Sequence, residues 1–187
     1  MDAPVRRSTD VTSTLTLPLT AARSRQRLDF DALYRAARDD VYAYVVTLLG
    51  DRSAAEDVTA SAFERAYRKQ RTYKAARGSE RAWLFGIARN AALDELRRRK
   101  RSAALTTEPE ADLAAPEDAA DLAVRRAALR SALAALPPRE RELVALKFHA
   151  GLDNAELAAV LGVSVSNAGT LLHRAVTKLR KALDEHA

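Results

Sequence analysis

From Phe30 to Leu183 the apolar residues return at steps of three and four, and one stretch, residues 102–121, breaks the pattern. This interrupted period constrains the fold more than any other feature. Steps of three and four line one face of an α-helix, whereas a half-buried strand alternates every second residue. The interruption, "SAALTTEPEADLAAPEDAAD", holds six acids, no base and two Pro. Its carboxylates repel one another and favour an extended chain. The sequence therefore reads as all-α, with two small helical modules, 28–101 and 122–187, joined by a flexible acidic linker, 102–121. Ala, Leu and Arg are the most used residues and aromatics are only 5% of the chain, a mix that loses little entropy on entering helices.

Local signals place the elements. Residues 1–27 are rich in Thr, Ser and Arg; "TSTLTLPLT" alternates, but it contains Pro and lacks a partner strand, so a disordered tail is expected. Phe30, Leu33, Tyr34, Ala37, Val41, Tyr44, Val45 and Leu48 share a helix face that Gly50 is placed to end. "SAAE" then offers Ser53 as N-cap with Glu56 three residues on. The next helix carries Val58, Ala62, Phe63, Ala66 and Tyr67. After the polar loop "RTYKAARGSE", Ser79 caps a third helix with Trp83, Leu84, Ile87, Ala88 and Ala91 as its stripe and five cations, Arg97 to Arg101, at its end. In the second module Leu122, Leu129, Leu133 and Leu136 form a stripe, Pro137-Pro138 breaks it, and Pro138 suits the first turn of a new helix. Asp153 and Glu156 make a capping box, Gly162 and Val163 turn the chain, and Ser164 caps a last helix reaching about Leu183.

Little of this supports catalysis. There is no Cys and there are three scattered His, so thiolate chemistry is excluded and a metal site is not expected. His149 and Asp153 lie four apart but straddle Gly151, a helix boundary. No Gly-rich phosphate loop, paired-His helix or nucleophile elbow occurs. No enzyme activity and no cofactor are expected. No apolar run approaches the roughly 20 residues of a membrane span, and the start lacks a secretory core; the expectation is a cytoplasmic chain without membrane insertion.

Charge points to a polyanionic partner. The net is +6, carried as +5 in 28–101 and +4 in 122–187 around the −6 spacer, with +3 in the tail. "LRRRKR" at 96–101 reads as a solvated helix end favoured by the dipole, as a localisation tract, or as a phosphate-tracking patch. Tyr73 and Trp83 are candidates to stack on unpaired bases, although Trp83 also suits the core stripe. "DNAELAAVLGVSVSNAGTLLHRAVTKL" has the form of a helix-turn-helix, a capped helix, a Gly-containing turn and a capped second helix.

Taken in order, "AEDVTASAF", "WLFGIARNAALDELRRRKR", the acidic spacer and "LRSALAALPPRERELVALKFHAGLDNAELAAVLGVS" closely resemble the extracytoplasmic-function (ECF) subfamily of the sigma-70 family, over about residues 28–185. The resemblance implies that 28–101 is sigma region 2, which grips the β′ clamp of core RNA polymerase and recognises and melts the −10 element. It implies that 122–187 is region 4, which binds the β flap and reads the −35 element. Glu56, Asp57 and Phe63 then fall in the clamp-binding stretch, Phe63 also suiting the core. Tyr73, Lys74 and Arg77 fall in the loop that captures a flipped base. Arg89, Asn90, Arg97, Arg98, Arg99, Lys100 and Arg101 fall on the helix facing the −10 duplex, with Asn90 alternatively a buried helix-to-helix hydrogen-bonder. On the last helix the resemblance marks Ser164, Val165, Ser166, Asn167, Thr170, Leu171, Arg174 and Lys178. Ser166, Asn167 and Thr170 suit base edges, Val165 or Leu171 thymine methyls, and Arg174 and Lys178 phosphates.

Two departures stand out. Ala60 and Ser61 replace the Gln and acid that members often carry, and Gly169, Leu171 and Val176 stand where many have cations. Weak or altered −35 recognition is the corresponding expectation. The resemblance further implies an anti-sigma factor as partner and a monomer when free, no dimerisation segment being visible. A stand-alone helix-turn-helix regulator is the alternative reading.

Overall fold

A computed structural model describes residues 28–103 and 120–184. The expected tail, most of the expected linker and the last three residues lie outside the described residues. Seven α-helices and two short 3-10 turns make up the described chain. The first module contains α1 (Phe30–Leu49), α2 (Arg52–Lys69), the turns Gln70–Thr72 and Ala75–Arg77, and α3 (Glu80–Ala103). The second contains α4 (Ala120–Ala135), α5 (Pro138–Phe148), α6 (Asn154–Leu161) and α7 (Val165–Asp184). The all-helical, two-module architecture is the one expected.

The helix boundaries follow from capping. The Asp29 carboxylate accepts from the Ala32 amide at 3.0 Å to start α1, and Gly50, at φ 68°, ends it by donating to the Val46 carbonyl. The start of α2 corrects the expectation. Its N-cap is Asp51, whose carboxylate accepts from the Ala54 amide at 3.0 Å, so Ser53 lies inside the first turn and caps nothing. Asp is an equally good cap, and Asp51 has the extended backbone, φ −135° and ψ 122°, that an N-cap takes. Ser79 caps α3, its hydroxyl accepting from the Ala82 amide. Pro138 opens α5, the Asp153–Glu156 box opens α6, and the Ser164 hydroxyl accepts from the Asn167 amide to open α7.

Packing joins the modules more closely than a two-bead reading implies. One continuous core contains Leu33, Val41, Tyr44, Val45, Phe63, Leu84 and Phe85 from the first module together with Leu143, Leu146, Leu152, Leu157 and Leu161 from the second. α5 lies against α1, and α6 against α3. Each fully buried Leu or Phe contributes about 1.5–3 kcal/mol relative to exposure, so the joint surface is a large part of what holds the closed shape. A separate small cluster, Leu136, Val144 and Ala175 with Leu133 and Leu179, packs α4 and α5 on α7. The expected α4 stripe is only partly inside, since Leu129 stays 41% exposed. Among the described residues no single helix is long and apolar enough to cross a membrane.

Candidate nucleic-acid interface

The loop between α2 and α3 forms one wall of a groove of about 450 Å³ lined by Tyr73, Lys74, Arg77, Gly78, Trp83, Ile87 and Asn90. Two short turns fold the loop back on itself, and the Tyr73 hydroxyl donates to the Gly78 carbonyl at 3.1 Å. Gly78 sits at φ 141°, where a side chain is strained. The Tyr73 and Trp83 rings lie 5.7 Å apart, tilted by 58°. Burial, and then the charge of Glu80, raise the Tyr73 phenol above its ordinary range, so it stays a neutral hydrogen-bonding ring. Asn90 is exposed on the groove's rim, which overturns the buried hydrogen-bonder alternative. Trp83 is half-buried, packing against the core while it also lines the groove. The groove's remaining wall is Ala159 and Val160 of α6, in the second module.

The cationic end of α3 differs from a bare phosphate-tracking strip. Arg97 pairs with Asp94 at 3.1 Å, Arg98 with Glu95 at 2.7 Å, and Arg99 with both Glu95 at 2.9 Å and Asp51 at 2.6 Å. Lys100 and Arg101 are the two of the run with no ion-pair partner among the described residues. The bond from Arg98, with Arg99 adding to it against the opposing effect of burial, holds the Glu95 carboxyl down to about 2. Asp51 is also lowered, first by the Ala54 amide it caps and then by Arg99. Arg99 thus ties the end of α3 to the start of α2. Arg89 is farther still from a free cation: its guanidinium grips the buried Glu142 carboxylate of α5 at 2.6 Å.

On α2, Glu56 and Asp57 are exposed as a contact surface requires, but Phe63 is only 6% exposed. Three rings pack on or beside it edge-to-face: Tyr34 at 4.8 Å and Phe30 at 6.4 Å on Phe63, with Tyr67 at 5.3 Å on Phe30. Sequence reading put Tyr34 and Tyr67 in the core stripes, yet they remain 39% and 59% exposed and form the accessible aromatic face. Their place at the outer edge of each stripe was the available signal.

On α7, Ser164, Val165, Ser166, Asn167, Thr170 and Arg174 are exposed and Leu171 is half-buried against the core. Ser164 is committed to capping. The Thr170 hydroxyl donates back to the Ser166 carbonyl at 3.0 Å, leaving its methyl and lone pairs outward. Lys178 is held by Glu140 of α5 at 2.7 and 2.9 Å. Arg174 is therefore the one cation of the expected −35 set with no ion-pair partner among the described residues. Among the described residues no group of His, Cys, Asp and Glu is arranged to hold a metal ion.

Comparison with known proteins agrees with this layout. Residues 33–102 match Sigma-70 region 2 and residues 126–179 match Sigma-70, region 4. The chain is 35% identical over 162 residues to the ECF RNA polymerase sigma factor BldN of Streptomyces coelicolor, covering 84% of this chain and 61% of that protein. It therefore spans about three fifths of that relative's length, and 63% of the sigma factor SigE of Mycolicibacterium smegmatis. With the ECF sigma factor SigL of Mycobacterium tuberculosis it shares 31% identity over 160 residues, covering 82% of this chain and 90% of that one. Its fold matches the sigma factor RpoE of Bartonella quintana, solved with the anti-sigma factor NepR, at TM-score 0.72 and 24% identity over 83% of this chain and 97% of that one. CnrH, solved in complex with the cytosolic domain of CnrY, matches at TM-score 0.62 and 27% identity over 84% of this chain and 89% of that one. Two matched regions in the family's order, and a relative matched over nine tenths of its length, lead to one conclusion: the chain belongs to the ECF sigma factors of the sigma-70 family.

Proposed function

We propose that this chain is the promoter-specificity subunit of a bacterial RNA polymerase, binding core enzyme and directing initiation at one class of promoters. The observation that carries the reading is the order of parts: a region 2 with a Tyr73–Trp83 groove, followed by a region 4 whose recognition helix is capped and exposed. Tyr73, Lys74, Arg77, Trp83 and Asn90 would receive a base splayed from the −10 non-template strand, since a base edge is read fully only once it is unstacked. Glu56 and Asp57, with the Tyr34–Tyr67 aromatic face beside them, would meet the β′ clamp, and the second module the β flap. Ser166, Asn167 and Thr170 would read the −35 element by base edges while Arg174 holds phosphate. The act is one of binding and strand separation, with no catalytic chemistry of the chain's own, and it takes place in the cytoplasm where the polymerase works. An anti-sigma factor is the expected partner, as RpoE is held in complex with the anti-sigma factor NepR.

The test is reconstituted transcription with core polymerase on a genome-wide promoter library. The reading predicts transcripts from one promoter class sharing −10 and −35 sequences; no chain-dependent transcript would overturn it. A mobility shift on duplex DNA without polymerase separates the alternative, a stand-alone regulator, which would bind tightly alone.

A further inference from the structure

A second cavity, of about 320 Å³, shares no residue with the Tyr73–Trp83 groove. Its apolar lining comes from four helices: Leu48 near the end of α1, Leu93 and Leu96 of α3, Pro138 at the start of α5 and Leu161 at the end of α6. The rest of the lining is charged, with Arg89, Arg139 and Arg141 against Glu142. Among the described residues it contains no aromatic ring and no uncharged polar side chain. The acids nearby are already engaged. Glu142 is held by Arg89 at 2.6 Å, and Glu140, the other acid of α5, by Lys178 at 2.7 Å. Arg139 and Arg141 therefore have no ion-pair partner among the described residues.

Arg139 is exposed, but Arg141 is half-buried and fixed in place. One of its Nη groups donates to the Ala134 carbonyl at 2.7 Å and to the Leu136 carbonyl at 3.2 Å, and its buried Nε has no hydrogen-bond partner among the described residues. Carbonyl oxygens orient a guanidinium without cancelling its charge, so an anion arriving here meets a donor that is already ordered. Two unmatched cations beside a hollow of leucines define the ligand. A sugar or nucleobase would leave its polar edges unpaired against the apolar wall. Inorganic phosphate would satisfy the arginines and leave the leucines in water. A carboxylate on an aliphatic chain satisfies both, since guanidinium grips carboxylate in a charge-assisted hydrogen bond and the chain removes leucine surface from water. The volume lies at the lower end of the roughly 300–1,000 Å³ of small-molecule sites, which suits a chain of medium length. We propose that this cavity binds a small aliphatic carboxylate, its chain against Leu48, Leu93, Leu96 and Leu161 and its head on Arg139 and Arg141. Both modules supply walls, so the bound ligand stabilises the folded chain as a whole.

The experiment titrates the full chain with sodium decanoate, kept below its micelle-forming concentration. Inorganic phosphate supplies the charge without the chain, and decyltrimethylammonium the chain with the opposite charge. Calorimetry should show one equivalent of decanoate bound, and a hundredfold excess over Kd should raise the thermal midpoint by about 5–10 °C. Neither control should do so. Arg139→Gln, at an exposed position without an ion pair, should weaken decanoate about tenfold. Leu96→Trp fills the hollow and leaves every arginine in place, so it should abolish the titration. Circular dichroism checks that each variant keeps its helicity, and if Leu96→Trp does not, Arg139→Gln decides alone. Absence of a saturable signal overturns the proposal. So does binding of several equivalents that Arg139→Gln leaves unchanged, or equal stabilisation by phosphate or by the decyl cation. The titration contains neither polymerase nor DNA, so its outcome is independent of the transcription reading.

Discussion

The C-terminal end of α3 and the N-terminal half of α7 are both places where this chain would meet DNA, and they are built in opposite ways. α3 ends in five consecutive cations, three of which are fastened to Asp94, Glu95 and Asp51. α7 begins with a run of exposed uncharged residues, Val165, Ser166, Asn167 and Thr170, ahead of Arg174. Counted by formal charge, α3 is the DNA helix and α7 is not. Counted by what is available to a ligand, the difference shrinks to Lys100 and Arg101 on one side and Arg174 on the other. The lesson is that cations near acids on a helix serve the fold first, while a recognition helix needs few charges if its polar face is bare. Base edges are read by hydrogen bonds and methyl contacts, and phosphates only set the register.

The contrast is most easily broken in the core beneath α3. Phe85 is fully buried and meets Tyr44 edge-to-face at 5.6 Å. Phe85→Ala should lower unfolding free energy by about 3–5 kcal/mol, whereas Ser166→Ala on exposed α7 should stay within about 0.5 kcal/mol. Denaturant titration of both variants checks this, and comparable losses would mean that α7 is as structural as α3.

Next in size are effects on promoter binding by the holoenzyme. Asn167→Ala should change promoter preference by about 1–3 kcal/mol at its base pair. Arg174→Ala should weaken all promoters alike and reduce the salt slope of binding by about 1. Lys178→Ala should do less, because Glu140 already holds that ammonium. Competition binding over a promoter panel at several salt concentrations separates the three, and equal loss from Asn167→Ala and Arg174→Ala would erase the division of labour.

Smaller again is the reverse experiment on α3. Glu95→Gln removes the carboxylate that holds Arg98 and shares Arg99, while Asp51 keeps its part of Arg99. One freed guanidinium should steepen the salt dependence of non-specific duplex binding by about 0.9. An unchanged slope would show that pairing does not limit this helix.

The smallest expected effect is acid sensitivity. Glu95 is held at about 2, below its ordinary 4.5, so its ion pairs stabilise the fold fully above the ordinary value and lose that contribution as pH falls from there toward 2. Thermal unfolding between pH 5 and pH 3 should fall less steeply for Glu95→Gln than for the unaltered chain. His149 acts in the same direction: burial, opposed by Asp40, lowers its pKa, so its protonation disfavours the folded state.

The helices were legible because their signals are local. Asp153 and Glu156, Ser79 and Pro138 each mark a boundary by side-chain chemistry within four residues, and Gly50 does so by the left-handed backbone it adopts without strain. Ser53 misled because two good caps, Asp51 and Ser53, stand two apart, and only backbone geometry chooses between them. The groove was half legible: Tyr73 and Trp83 stood out as aromatics beside cations, but the far wall comes from α6, some seventy residues on. Partner choice for arginine was not legible at all. Arg81, Arg89 and Arg99 look alike in the sequence, yet each is held by groups from another helix, Asp40, Glu142 and Asp51. Such choices depend on long-range packing rather than spacing, and they decided which cations remained available.

The central claim, that the first module captures an unstacked promoter base beside Tyr73 and Trp83, is tested most directly by 2-aminopurine placed in the −10 non-template strand and read in the holoenzyme. The account predicts a fluorescence change on binding that Trp83→Leu abolishes while −35 protection persists, since Leu keeps the apolar packing and removes the stacking face. An undiminished change in Trp83→Leu would contradict it.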